Sequence, residues 1–454
     1  MMLGLYSWLM GMAQPLLRRK LKRRGVDEPG YLDAIEERFG MYGPDTAFTA
    51  DAPVGEGFVW LHAVSLGETR AAAIFIERLR EALPGMRLLL THGTATGRAE
   101  GRKLLKPGDV QAWLPWDTAP VVARFLAHFK PRIGVLMETE VWPQLVASCK
   151  ARGVPLVLAN GRLSEKSLAQ AQRLDWLSRP AYRSLAGVWA QTPDDAARFR
   201  ELDARVLGIY GNLKFDATPD PRLLAQGKAW RAASVRPVAM IASSREGEEK
   251  LLLDEIRGLA GSGSSSSRAV QWLIVPRHPQ RFEEVAQLIA EQGFSVVRRS
   301  ASDGSLPPAD VWLGDSLGEM ALYYGLADVA LLGGSFLPLG GQNLIEAAAC
   351  GCPVIMGPST FNFAEAADLA LEAGAAVRVG DMGEGVTASV ALAADASKQQ
   401  AAAKAALRFA GEHRGAARKT ALAVAAMLAP EPPGGSDADI SGSAPHSRRT
   451  GLRA

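Results

Sequence analysis

The sequence predicts an α/β protein made of two doubly wound, Rossmann-like halves that face a shared cleft. Three observations predict it. From Gly57 onward, apolar runs of strand length alternate with amphipathic stretches of helix length, the βαβ rhythm of a parallel sheet. The rhythm lapses over residues 211–236, which contain Pro219, Pro221 and several charges, and then restarts. The 454 residues, 48% of them apolar, suffice for two large buried cores at about 150 residues per domain.

In the first half, strands are expected at 58–64, 87–91, 110–114, 132–137, 154–159, 186–190 and 205–210, with helices at 69–83, 118–129, 141–152 and 193–202. In the second half, strands are expected at 238–242, 270–275, 294–298, 310–313, 328–332, 353–356 and 376–379. Helices there are expected at 246–259, 279–291, 317–325, 342–350 and 363–373. Gly261–Ser267 (GSGSSSS) reads as a flexible surface loop, and the Ala-rich stretch 384–428 as helical. Residues 430–454, rich in Pro, Gly and Ser, read as a disordered tail. The expected division is therefore an N-terminal segment 1–24, a first domain 25–215, a linker 216–236, a second domain 237–429 and a tail. Two such halves place a ligand at the carboxyl ends of both sets of strands.

The N-terminal segment concentrates the charge. The chain carries net +3, yet residues 1–17 (MMLGLYSWLMGMAQPLL) are uncharged and residues 18–24 (RRKLKRR) hold six positive charges, leaving the rest at net −3. A body-wide nucleic-acid surface is excluded by that distribution. Charges that follow the apolar stretch do not fit a secretory signal. Seventeen residues sit at the lower limit for crossing a ~30 Å hydrocarbon core. The segment is read as a short membrane anchor or an interfacial helix, with the basic cluster on anionic lipid of the cytoplasmic leaflet. The alternative is an ordinary buried helix followed by a solvated basic turn.

Three cysteines, Cys149, Cys350 and Cys352, make neither a disulfide framework nor a zinc site, and a reducing, cytoplasmic compartment fits them. The six histidines (His62, His92, His128, His278, His413, His446) are scattered, and the one Asp-x-Asp, Asp437-Ala438-Asp439, lies in the tail. No metal is expected.

Polar motifs fall just after expected strands. Gly67 in His62–Thr69 permits a tight strand-to-helix turn. Glu68 then opens the following helix, and spacing alone favours a dipole-offsetting role for it. Thr91–Gly97 is a small polar loop suited to an anion, without the lysine of a P-loop. Met137–Pro143 carries Glu138 and Glu140, for which N-capping and glycosyl chemistry are equally open. Gly211–Asp216 places Lys214 toward the cleft. In the second half, Ser243, Ser244 and Arg245 precede a helix and are candidate donor contacts. Pro276-Arg277-His278-Pro279, Gly314–Glu319 and Gly340–Glu346 each end a strand or open a helix. Together these loops point to a nucleotide-linked ligand in the second half, with Glu346 available to ribose hydroxyls.

At these residues the sequence resembles the bacterial 3-deoxy-D-manno-octulosonic acid (Kdo) transferases of lipid A biosynthesis. The runs WLHAVSLGE, METEVWP, NGRLS, GNLKFD, EGEE, PRHPQRFEEV, GDSLGEM, GGS…GGQN…E and MGPSTFNF occur in that order, and the resemblance extends to about residue 410. It implies a GT-B glycosyltransferase with an acceptor-binding first domain, a donor-binding second domain and a membrane-associated N-terminal helix. The implied donor is CMP-Kdo and the implied acceptor the tetraacyldisaccharide 1,4′-bisphosphate precursor of lipid A (lipid IVA). The implied transfer is inverting and needs no metal or cofactor. On this chain Glu68 matches the general base, against the spacing-only reading, and Glu138 and Lys214 match residues that stabilise the transition state. Pro276, Arg277, Leu317, Gly318, Glu319, Asn343, Leu344, Ile345 and Glu346 match the CMP-binding segments. The chain departs from the family's usual histidines at Arg245 and Gln342. The implied location is the cytoplasmic face of the bacterial inner membrane. A GT-B enzyme using another nucleotide sugar, such as a UDP-hexose or CMP-sialic acid, and a membrane-tethered binder without turnover are the alternatives.

Overall fold

Apolar runs with no polar alternation are what strands covered on both faces require, and each apolar run forms one. The computed structural model describes residues 2–43, 57–261, 269–302, 304 and 306–429. Apart from Gly261, which ends a helix, the expected GSGSSSS loop lies outside the described residues, as does the tail with Asp437–Asp439.

The first sheet contains β1 (Val59–His62), β2 (Leu88–His92), β3 (Val110–Trp113), β4 (Ile133–Met137), β5 (Leu156–Gly161), β6 (Gly187–Ala190) and β7 (Val206–Ile209). The second contains β8 (Val238–Ser244), β9 (Gln271–Pro276), β10 (Val296–Arg298), β11 (Val311–Leu313), β12 (Val329–Leu332), β13 (Val354–Met356) and β14 (Ala376–Arg378). The orders are β3-β2-β1-β4-β5-β6-β7 and β10-β11-β9-β8-β12-β13-β14, and every pairing is parallel. Central strands are buried throughout: Val59 pairs with both Leu88 and Ile133, and Val329 with Ala239. Both orders reverse at the first strand of each half, β1 and β8, the switch point where doubly wound sheets bind ligands.

Several segments differ from the sequence expectation, and the first half holds three further helices, Ala95–Arg102, Glu165–Arg173 and Asp175–Ser184. The stretch expected as a linker holds a 13-residue helix, Pro221–Ala233, N-capped by Asp220. Pro221 in the first turn is compatible with a helix, so proline there marks a start and not an interruption. The Ala-rich stretch is three helices, Met382–Ala394, Ala396–Glu412 and Ala416–Leu428, separated at Asp395 and at Gly415 with φ +105°. The last of them, expected in the second domain, returns to the first. Ala416, Ala417, Ala421 and Val424 join the core of Val59, Leu61, Ala72 and Phe75. Asp216 fastens it by accepting from the Gly415 and Ala417 N–H groups.

At the N-terminus, Met2–Met12 and Gln14–Asp27 are separate helices, and no described helix is long and apolar enough to cross a membrane. The first helix is docked through polar bonds. Tyr6 Oη donates to Asp117 Oδ2 (2.9 Å), Ser7 Oγ accepts from Ala119 N, and Trp116 Nε1 donates to Met10 O. Its opposite side leaves Met2, Leu5, Trp8, Leu9 and Met12 between 49% and 64% exposed, at the three- and four-residue spacing of one helix face. An ordinary buried helix would not leave that stripe in solvent. Arg19, Lys20, Lys22 and Arg23 are exposed beyond it, while Leu21 packs with Tyr31, Phe39 and Trp113.

Candidate active site

The carboxyl ends of both sheets open onto a cavity of about 500 Å³ between them. The first half supplies Gly67, Arg70 and Lys214; the second supplies Ser243, Pro276, Arg277, Ser316, Leu317, Gly318, Gln342, Asn343 and Glu346. Of the residues singled out from sequence, Lys214, Ser243, Pro276, Arg277, Leu317, Gly318, Asn343 and Glu346 therefore share one space. Glu68, Glu138, Ser244, Arg245, Glu319, Leu344 and Ile345 do not line it.

Glu68 follows β1 through the turn at Ala63–Ser65. Ser65 N-caps the Leu66–Ala82 helix and Glu68 reaches back, so that Oε2 accepts from Val64 N (2.9 Å) and Oε1 from Ser65 Oγ (3.0 Å). This is a variant of the capping box in which the backbone donor is Val64 and not the N-cap itself, whereas spacing alone favoured a dipole-offsetting role. It does not exhaust the carboxylate, because each oxygen keeps a lone pair. Burial pushes the group up to about 7, beyond what those hydrogen bonds pull back, and the charges of Glu138 and Glu140 add to the rise. A carboxyl poised near neutrality is suited to taking a proton.

Glu138 follows β4 in the left-handed region, φ +57°, a conformation costly for a residue with a Cβ and persistent only where its surroundings enforce it. Here Glu138 N donates to Ala159 O and Glu138 O accepts from Arg162 N, locking the turn against β5. The carboxylate lies 3.5 Å from Lys214 Nζ, close enough to pair in charge but not aligned as a hydrogen bond, so Oε1 is a buried acceptor without a hydrogen-bond partner. Burial also raises the neighbouring Glu140, which accepts from Trp142 Nε1.

Lys214 sits where the two halves are joined. In its turn, Leu213 packs in the first core and Phe215 in the second, against Phe409. Asn160, itself at φ +53°, accepts from Leu213 N, while Gln191 bridges Asn160 O and Asn212. Lys214 Nζ also lies 5.5 Å from the Phe363 ring centre, across the cleft.

In the second half two of the three carboxylates of EGEE, Glu248 and Glu249, are structural. Glu248 accepts from the N–H groups of Arg245, Gly334 and Phe336, and burial still holds it above its ordinary value. Glu249, fully buried, takes Ser244 Oγ and both terminal nitrogens of Arg281. Ser244 is thus committed away from the cavity. Arg277 donates from Nε to Gln342 Oε1 (3.2 Å), so Gln342 orients a cationic fork. Glu319 pairs with Arg299 and accepts from Ser316 Oγ. Leu344 and Ile345 are core residues, and Asn343 caps their helix by accepting from Ile345 N.

In the Thr91–Gly97 loop, the Gly93 and Thr94 N–H groups donate to Val64 O and the Gly97 N–H to Thr94 Oγ1, which takes these three from the set that sequence offered to an anion. Thr94 caps the following helix and also donates to Val64 O, Thr91 accepts from Trp60 Nε1, and His62 and His92 are buried with their rings pushed down to about 3 and about 4 by desolvation. Sequence reasoning missed Arg70, while Asn160 and Asp216 fall in the runs NGRLS and GNLKFD without a role having been read for them. A cation two positions after Glu68, one turn into the same helix, was the one available signal for Arg70.

Residues 33–217 match the family model described as 3-deoxy-D-manno-octulosonic-acid transferase (kdotransferase). The chain is 44% identical over 424 residues to the 3-deoxy-D-manno-octulosonic acid transferase of Bordetella pertussis, covering 92% of this chain and 97% of that one. It is 32% identical over 364 residues to that of Haemophilus influenzae, covering 79% and 83%. A solved glycosyltransferase from Rickettsia africae, 13% identical, superposes with a TM-score of 0.51 over 82% of this chain and 98% of that one, a likeness of fold. The two parallel seven-stranded sheets facing one cleft are the GT-B arrangement, and the chain belongs to the Kdo transferase family of glycosyltransferases.

Proposed function

We propose that this chain transfers Kdo from CMP-Kdo to the tetraacyldisaccharide 1,4′-bisphosphate precursor of lipid A (lipid IVA), with inversion and without a metal or cofactor. The observation that carries the reading is the cavity: Lys214 of one half and Arg277, Asn343 and Glu346 of the other converge on it, in a chain 44% identical to a Kdo transferase. Glu68 acts as general base. It takes the proton of the acceptor hydroxyl as that oxygen bonds to the anomeric carbon, while the bond from carbon to the CMP phosphate oxygen breaks and CMP leaves with the electron pair. Lys214, held beside Glu138, and Arg277 meet the negative charge of the sugar carboxylate and the departing phosphate. A phosphate leaves without a proton donor, so a single acid–base group suffices.

The exposed stripe of the Met2–Met12 helix and the basic side chains after it support an interfacial association with anionic lipid. We place it on the cytoplasmic face of the bacterial inner membrane, where an anionic lipid acceptor is within reach of the first half. The test is donor competition. Purified chain given the lipid precursor with CMP-Kdo, CMP-sialic acid or UDP-glucose should consume CMP-Kdo alone, and turnover of another donor in its place overturns the assignment.

A further inference from the structure

We propose that Arg70 is a donor-binding residue supplied by the acceptor-side half, reaching across the cleft to the phosphate of the nucleotide. The inference rests on the donor site proposed above and adds to it a contact from the opposite wall.

Arg70 lies on the Leu66–Ala82 helix and lines the cavity beside Gly67 and Lys214, facing Arg277 and Glu346. It is close enough for its charge to be felt on both. Arg277 is held below its ordinary range by burial first, and then by the charges of Arg70 and Arg245. Glu346 is raised by burial and drawn back by Arg70 and Arg277. Two guanidinium groups that repel each other across one cavity are brought to rest by an anion between them, and a phosphate accepts from two forks at once. Gln342 holds Arg277 by Nε alone, which leaves its terminal nitrogens for such a ligand. The other tie on Arg70 is loose. Its Nε lies 3.7 Å from Glu100 Oε1, its side chain is 56% exposed, and Glu100 is shared with Lys103. Arg70 is therefore able to exchange Glu100 for a bound phosphate with little loss.

The test is calorimetric titration of the full-length chain, as wild type, Arg70→Ala and Arg70→Lys, with CMP and with cytidine. Because Arg70 is exposed, the alanine variant should melt with the wild type. The expected result is a roughly tenfold or greater loss of CMP affinity in Arg70→Ala, the scale of one charge-assisted hydrogen bond, with cytidine affinity unchanged and partial recovery in Arg70→Lys. Equal CMP affinity in wild type and Arg70→Ala overturns the role of Arg70 and leaves the donor site standing. An equal loss for cytidine and CMP also overturns it, since the residue then shapes the cavity without meeting the phosphate. Failure of the wild type to bind CMP overturns the donor reading and this inference together.

Discussion

Replacing Glu68 by glutamine should make the protein more stable and nearly inactive, and the two effects should separate by pH. Burial raises the Glu68 carboxyl from 4.5 to about 7 in the folded state. Between those values the folded chain holds a proton that the unfolded chain releases. The contribution of this group to stability is therefore fully present below the unfolded value and is lost as pH rises through about 7. At about 1.4 kcal/mol per unit the full shift is on the order of 3 kcal/mol, and partial exposure reduces it to roughly 1–2 kcal/mol. Glutamine carries no charge to desolvate and still completes the Ser65 capping box. Thermal melts of wild type and Glu68→Gln should coincide near pH 4.5 and diverge as pH rises, with the variant the more stable at pH 8. Activity at pH 8 should fall by roughly 10²–10⁴, the usual contribution of a general base, and the wild-type rate should decline below about pH 7. If Glu68→Gln retained wild-type turnover, the base assignment would be refuted. If the melts differed equally at pH 4.5 and pH 8, the buried charge would not be the cause.

Other outcomes follow from the same geometry. Lys214→Ala should lower turnover by roughly 10²–10³, the cost of removing one preorganised charge, and should weaken CMP binding by calorimetry as well, since the same ammonium group meets the phosphate. Asp216→Ala removes the acceptor of two helix-terminal N–H groups and should free the Ala416–Leu428 helix. Losing a cap of this kind costs about 1–2 kcal/mol, and limited proteolysis should cut near Gly415 sooner than in wild type. Neutralising Arg19, Lys20, Lys22 and Arg23 should weaken flotation with anionic vesicles more than turnover on detergent-solubilised acceptor, and Trp8→Ser should do the same with neutral vesicles as well.

Much of the fold is legible in the sequence because buried parallel strands advertise themselves. Val59–His62 and Ile133–Met137 carry no alternation, having no face in water. The Pro221–Ala233 helix was hidden because its residues are mixed in polarity and only Gly227 is buried in it, so no apolar stripe marks it. The return of Ala416–Leu428 to the first half was hidden for a different reason. An alanine-rich helix fits against many surfaces, and its partner is chosen by the Asp216 cap from 200 residues upstream, a choice that local propensity does not encode.

The site divides in the same way. Lys214, Arg277, Asn343 and Glu346 could be placed because each follows a strand whose carboxyl end must face the cleft. The left-handed turn at Glu138 could not be read, since a glutamate there runs against backbone preference and is held by bonds to Ala159 and Arg162. Ser244 looks like a ligand group in sequence, but the buried carboxylate of Glu249 needs donors, and Ser244 and Arg281 supply them. Arg70 lay outside every motif because its significance arises only when the opposite wall brings Arg277 and Glu346 to it.

The most direct test of the central claim is mass spectrometry of the lipid after incubating purified chain with CMP-Kdo and the tetraacylated bisphosphate precursor, with EDTA present. The account predicts a lipid product heavier by one or more Kdo units, with CMP released in equal number. Recovery of the unmodified precursor alongside intact CMP-Kdo would contradict it.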